Sequence, residues 1–153
     1  MRALRKSLWT IAAIAALPAP AAAQEMCAAL QRIAAAAREP EPFASLANGT
    51  ELVPGYRYCR VETGTAARAG GVFCNTQLAP KSLIAETVGP QIRDCLGAVP
   101  GRVPDRFPPT ALTYSTDQLS IRVSSHCDER CHVGRLASLD ITRRREDGTP
   151  QQR

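Results

Sequence analysis

Large side chains are scarce in this chain. Aromatic residues make up only 5% of the 153 residues, and the single tryptophan, Trp9, lies in the N-terminal segment. With so few large apolar side chains the hydrophobic core is thin, and small domains of that kind depend on crosslinks such as disulfides. Six cysteines are present, and all of them follow residue 26. The sequence therefore predicts a small domain that is stabilised by disulfides.

Long hydrophobic runs are also absent. No apolar stretch reaches the roughly 20 residues that a membrane-spanning helix needs, so we expect no stable membrane anchor. The N-terminus has instead a basic segment that ends at Lys6, an apolar stretch over residues 7–17 and small residues before Gln24. This pattern is typical of a bacterial-type Sec signal peptide with cleavage near Ala23/Gln24. We expect residues 1–23 to be removed and the mature protein to be periplasmic or secreted.

The mature chain has no large excess of positive or negative charge. The full chain has a formal net charge of +5, and the loss of Arg2, Arg5 and Lys6 with the signal lowers it to +2 (5 − 3). No basic stripe interleaved with aromatic side chains is present, so we expect no nucleic-acid partner. Outside the cytoplasm thiols oxidise, which makes each cysteine a candidate half-cystine.

The hydrophobic pattern predicts one domain over residues 24–142 and a disordered polar tail over residues 143–153. Helical spacing covers residues 25–38 and 80–96, with a kink or break at Pro90. Strand patterns cover residues 56–62, 71–77, 112–116, 119–125 and 132–142. We expect a bulge or twist near Leu136, which is out of phase with its neighbours. Residues 98–109 contain four prolines and are expected to form a connecting loop.

This order of elements, α-β-β-α-β-β-β, predicts an α+β fold. Such a fold has an antiparallel sheet, here of four to five strands, with the two main helices packed on one face. The pattern predicts a small disulfide-stapled domain of this class.

Two disulfides are predicted from the placement of the cysteines. Cys59 and Cys74 lie on the two strands of the first hairpin, and a central loop of small residues brings them opposite each other. Cys27 and Cys95 lie on the apolar sides of the two helices, so a Cys27–Cys95 bond would tie these helices together.

The remaining cysteines belong to a cluster over residues 126–132 that contains both histidines of the chain. Four interpretations compete. Cys127 and Cys131 form a disulfide across a tight hairpin, or each pairs with a distant cysteine. Alternatively the set binds a metal, or the Cys-x₃-Cys-His pattern, one residue longer than the haem-attachment motif, binds haem. The metal ligands would be His126, Cys127, Cys131 and His132.

The metal and haem interpretations are weakened by the spacing and by the compartment. Adjacent residues on a strand point to opposite faces, and exported thiols oxidise. We therefore expect no cofactor and no metal. Histidine as a general base would need a nucleophile and an orienting carboxylate, and no known catalytic spacing is present. We predict no catalytic residues.

These observations favour a binding protein over an enzyme. We expect an exported module that recognises an unknown protein or surface partner, and an inhibitor or immunity-type protein is one concrete form. Asp128, Glu129 and Arg130 form the charged tip of the expected hairpin and are the candidate contact residues. The alternative is a small redox or metal-handling protein that acts through His126, Cys127, Cys131 and His132.

Overall fold

The computed structural model describes residues 21–47, 49, 52–65, 67–101, 111–127 and 135–144. It has an α+β fold with two α-helices and one antiparallel sheet, which confirms the predicted fold class. Helix α1 spans Ala21–Ala36 and α2 spans Ala85–Leu96. The strands are β1 (Tyr58–Glu62), β2 (Gly71–Thr76), β3 (Val99–Pro100), β4 (Ala111–Ser115), β5 (Leu119–Cys127) and β6 (Arg135–Arg143).

Helix α1 forms where alanine is dense, because alanine has the highest helix propensity. It begins four residues before the predicted start at residue 25. Met26, Leu30 and Ile33 recur at helical spacing and are buried, so they fix the side of α1 that faces the core. The chain leaves the helix before Pro40, which disfavours helical backbone at the residue that precedes it.

The second predicted helix is divided, but the break does not lie at Pro90. Lys81–Leu83 forms one 3₁₀ turn, and Ile84 has extended backbone before α2 begins at Ala85. Pro90 lies inside a continuous α2, where it removes one backbone hydrogen bond. Helix α2 ends at Gly97, whose φ of 62° is the left-handed conformation that glycine adopts most easily.

The sheet has six strands, one more than predicted, in the order β1-β2-β6-β5-β4-β3. The additional strand is β3, which lies in the segment expected to be a loop. Its Val99 pairs with Ser115 and its Pro100 pairs with Tyr114. Proline has no N–H for a sheet hydrogen bond, so a two-residue strand that contains it belongs at a sheet edge.

The last strand, β6, lies inside the sheet between β2 and β5. Ala137, Leu139 and Ile141 of β6 are fully buried. The β5–β6 register is continuous from Leu119 opposite Arg143 to Cys127 opposite Arg135. The bulge expected near Leu136 is therefore absent, and Leu136 is instead exposed on the face opposite the core.

The sheet has one face toward the helices and one face away from them. Helix α2 packs against β4 and β5 and against α1. The N–H of Ala85, at the start of α2, lies 3.5 Å from the hydroxyl of Ser125 on the buried face. We call the opposite surface the open face: the even-numbered residues of β1, β5 and β6 and the odd-numbered residues of β2, β3 and β4. Neither helix packs on it.

Candidate functional site

Four cysteines form disulfides in the described part of the chain. Cys27 of α1 bonds Cys95 of α2, with a Cα–Cα distance of 5.3 Å. Cys59 of β1 bonds Cys74 of β2, its direct neighbour in the strand register. These are the two pairs that the sequence predicts. Disulfides are typical of proteins that fold in an oxidising, extracytoplasmic environment, and they make these four sulfurs unavailable as metal ligands or nucleophiles.

The 126–132 cluster begins at the end of β5. This strand continues through His126 and Cys127, whose backbones pair with Leu136 and Arg135. The tight hairpin that the sequence predicts would place Cys131 opposite Cys127. The register instead places Arg135 opposite Cys127, which is the last described residue of β5.

The other members of the cluster lie outside the described residues. These are Cys131 and His132, with the predicted contact residues Asp128, Glu129 and Arg130. The Cys127–Cys131 bond and the metal or haem alternatives therefore stay predictions. Within the described ranges no three His, Cys, Asp or Glu side chains are grouped closely enough to bind a metal ion.

The open face carries a row of side chains that crosses four strands. In register, Arg60 of β1 faces Phe73 of β2, Phe73 faces Asp140 of β6, and Asp140 faces Arg122 of β5. The Arg60 guanidinium lies 5.4 Å from the centre of the Phe73 ring, within the range of a cation–π interaction. The Arg122 Nε donates to an Asp140 carboxylate oxygen at 3.0 Å. Positive and negative charges therefore alternate across this face.

Further polar contacts hold the row in place on both sides. Arg60 pairs with Glu62 at 2.9 Å, and the hydroxyls of Ser124 and Ser138 hydrogen-bond across β5 and β6 at 2.6 Å. The serine pair joins two strands and the Arg60–Glu62 pair lies within β1, and such contacts between neighbouring side chains fix their positions on a sheet. The open face is thus an ordered polar surface, on which the charged groups hold one another in place.

Exposed apolar side chains concentrate on the same face. Among the described residues, large apolar side chains are exposed at four positions: Tyr58, Leu78, Val99 and Leu136. All of them except Leu78 belong to the open face. Tyr58 is 62% exposed and Leu136 is 43% exposed, and they lie toward the end of the sheet that contains His126 and Cys127.

A small groove lies on the helix side of the described structure. Its volume is about 300 Å³, and it lies between α1, the end of α2 and the β4–β5 turn. The turn is attached to the segment just after α1 by a hydrogen bond of 2.7 Å from the Arg38 Nε to the Gln118 side-chain oxygen. Small-molecule sites are enclosed clefts of about 300–1,000 Å³, so this shallow groove lies at the lower limit.

Among the described residues, one buried side-chain polar atom has no hydrogen-bond partner. The hydroxyl of Tyr56 makes no hydrogen bond among the described residues, although this side chain is only 2% exposed. Burial raises the pKa of Tyr56 far above its usual range, and the negative charge of Asp140 raises it further. The phenol is therefore neutral at ordinary pH and carries no charge for binding or catalysis.

The alternation of polar and apolar residues along the strands indicates that one face of the sheet is polar. Arg122 and Asp140 occupy the polar positions that alternate with the buried residues of β5 and β6. Which charge faces which was not predictable, because it depends on the strand order. Leu136 is out of phase with the buried residues of β6 because it is an exposed apolar residue on the open face.

Comparison with known proteins gives no relative. The chain matches no protein-family model, no curated protein and no solved structure. None of the helices in the described ranges has the length and apolar character needed to cross a lipid bilayer. The function must therefore be argued from the site itself.

Proposed function

We propose that this chain is an exported binding protein that presents the open face of its sheet to a protein partner. The proposal is carried by one observation: Tyr58 and Leu136 are exposed on an ordered face that neither helix covers. Exposed aromatic and aliphatic side chains within a polar surround are typical of protein interfaces. The inhibitor or immunity-type role expected from the sequence is a specific form of this proposal.

The shape and charge of the face favour a protein over a small molecule. Small ligands bind in concave sites, whereas this surface is one side of a sheet. The Arg60–Glu62 and Arg122–Asp140 pairs give it both charges. A partner surface with alternating acidic and basic groups would match it, and such complementarity determines specificity more than affinity.

Residues 128–130 extend this proposed surface. They follow Cys127 in the sequence, and the preceding residue, His126, pairs with Leu136. We propose that Asp128, Glu129 and Arg130 add charged contacts at the rim, next to the apolar pair Tyr58 and Leu136. An apolar centre with a charged rim is the usual arrangement of a protein interface.

Export fits the two disulfides, and we propose cleavage near Ala23/Gln24 with release into the periplasm or the medium. Cleavage there would remove only the first three residues of α1, Ala21, Ala22 and Ala23. It would leave every buried residue of that helix, from Met26 onward, in the mature protein.

The experiment is site-specific photo-crosslinking in cells that export the protein. A photoreactive amino acid replaces Tyr58 on the open face or, as the matched control, the exposed Gln31 on α1. We expect one partner to be captured from position 58 and not from position 31. Capture from position 31 alone would contradict the proposal, because that residue lies on the helix side.

The captured partner is then purified and its affinity measured with variants. Tyr58→Ala and Leu136→Ala are each expected to weaken binding by about tenfold, since central aromatic and aliphatic contacts dominate interface energies. Leu78→Ala removes a side chain that is more exposed than either and lies outside the sheet, and it is expected to leave the affinity unchanged.

The redox or metal-handling alternative is tested on the same purified protein. Mass spectrometry of the mature chain reports the cleavage site, the sulfur state and any bound group together. We expect a mass lower by six hydrogens than that of the reduced chain, with nothing added. Two reactive thiols at Cys127 and Cys131, or retained metal, would support the alternative instead.

A further inference from the structure

The outer edge of β1 has backbone groups without a partner strand in the described structure. Among the described residues, β1 is the end strand of the sheet and pairs only with β2. The Cα atoms of Cys59 and Cys74 are 4.0 Å apart, the close spacing of an antiparallel pair that does not exchange backbone hydrogen bonds. The N–H and C=O groups of Cys59 and, two residues on, of Val61 therefore point away from β2 toward the edge.

Nothing else among the described residues takes up these groups. No backbone hydrogen bond joins Cys59 or Val61 to a described residue outside the β1–β2 pair. The unpaired backbone groups of an edge strand can hydrogen-bond to a strand of another molecule. Proteins usually cover or interrupt such edges. Here the edge is five residues long and includes the exposed Tyr58.

The charges on β1 are complementary to those on a second β1 strand that runs antiparallel to it. Arg60 and Glu62 lie on either side of Val61, and both project from the open face. The Arg60 side chain is 65% exposed and that of Glu62 is 28% exposed. If two β1 strands run antiparallel with Val61 opposite Val61, each Arg60 faces the Glu62 of the other strand. A register centred on Arg60 or on Glu62 would instead place like charges opposite each other, which is unfavourable.

We propose that β1 pairs with the β1 strand of a second copy of this chain, antiparallel and centred on Val61. The two-fold axis is perpendicular to the sheet, so both open faces lie on the same side. Val61 exchanges two backbone hydrogen bonds with Val61 of the second copy. In the same register Cys59 pairs with Thr63 of the second copy. Two six-stranded sheets then form one continuous sheet.

This interface is small. Stable dimers bury about 1,200–2,000 Å² in total, and pairing of two five-residue edges covers less than that. The dimer is therefore expected to dissociate on dilution. The inference does not depend on the proposed partner, because it uses the edge of the sheet and leaves the open face uncovered.

The test is sedimentation of the oxidised chain over a wide concentration range, with two charge variants. Arg60→Glu gives a strand with two acidic residues, and Glu62→Arg gives one with two basic residues. Each variant alone is expected to be monomeric at concentrations where the unmodified chain is dimeric. An equimolar mixture of the two is expected to form a heterodimer, because every facing pair is then of opposite charge.

Two controls complete the test. Asp94→Arg changes an exposed charge on α2, far from the edge in the fold, and is expected to leave the dimer intact. Circular dichroism establishes that each variant is folded. A chain that stays monomeric at all concentrations would overturn the inference, and so would single variants that dimerise normally or a mixture that does not associate. A monomer whose Cys59 and Val61 amides resist hydrogen exchange would also overturn it, since a segment of the same chain would then cover the edge.

Discussion

The hydroxyl of Tyr56 is a buried polar group that lowers the stability of the core. It makes no hydrogen bond among the described residues, and the side chain is almost fully buried. An unsatisfied buried hydroxyl costs about 1–3 kcal/mol. We therefore expect Tyr56→Phe to raise the free energy of unfolding by about 1 kcal/mol at pH 7, measured by urea denaturation. A loss of stability in this variant would show that the hydroxyl has a partner, such as a buried water.

The same residue predicts how stability depends on alkaline pH. In the folded state burial, aided by Asp140, raises the pKa of Tyr56, whereas in the unfolded chain it stays at about 10. Below pH 10 both states are protonated and stability is unaffected; above it the unfolded state loses its proton first. The free energy of unfolding should then fall by up to about 1.4 kcal/mol per pH unit.

The control for this pH prediction is again Tyr56→Phe, which removes the titrating group. The fall above pH 10 should become shallower in the variant than in the unmodified chain. Some slope will remain, because burial also raises the pKa of Tyr114. If the free energy of unfolding falls equally steeply in both proteins, ionisation of Tyr56 does not cause the loss of stability above pH 10.

Between elements, the contact of α2 with β4 depends on a glycine. A Cβ atom added at Gly89 would overlap the hydroxyl oxygen of Tyr114 and would lie 3.1 Å from a methyl group of Leu112. Alanine is normally the better helix former by about 1 kcal/mol. Here we expect Gly89→Ala to lower stability by about 1–3 kcal/mol, because the helix must move away from the strand.

A double-mutant cycle separates this clash from a general effect on the helix. Tyr114→Phe removes the nearest atom, so Gly89→Ala should cost less in that background than in the unmodified chain. Thermal unfolding of the four proteins measures the coupling. Purely additive effects would show that the two side chains do not meet.

The elements themselves were largely predictable from local patterns. Alternation placed β5 and β6 correctly, and alanine content with helical spacing located α1. Boundaries were less predictable: α1 begins earlier than expected, and the helix break lies at Ile84 instead of Pro90. The break at Ile84 depends on the packing of the 3₁₀ turn that precedes it. Strand β3 forms by pairing with β4. Neither contact is encoded in a local pattern.

At the scale of the whole molecule, the order of the strands was not predictable. Placing β6 between β2 and β5 pairs residues nearly 70 positions apart, such as Phe73 with Asp140. Hairpin symmetry predicted the Cys59–Cys74 pair because that contact is local. The charged row of the open face depends on the long-range pairing, so local patterns could not reveal it, and the contact residues expected at 128–130 stay a prediction.

The two disulfides should contribute unequally to the stability of the whole molecule. Cys27–Cys95 closes a separation of 68 residues and Cys59–Cys74 one of 15. If a disulfide acts mainly by lowering the entropy of the unfolded chain, the longer loop is worth about 4.4 kcal/mol and the shorter about 3.0 kcal/mol. Replacing Cys27 and Cys95 by alanine should therefore cost about 1.4 kcal/mol more than replacing Cys59 and Cys74.

The two double-alanine variants are matched controls for each other, because each removes one bond and two thiols. Urea denaturation with the other disulfides oxidised gives both free energies. A larger loss from the Cys59–Cys74 variant would contradict the entropic argument. It would mean that this bond acts on the folded state instead, by holding β1 on the sheet, where Cys74 is buried and β1 has β2 as its only strand partner in the described structure.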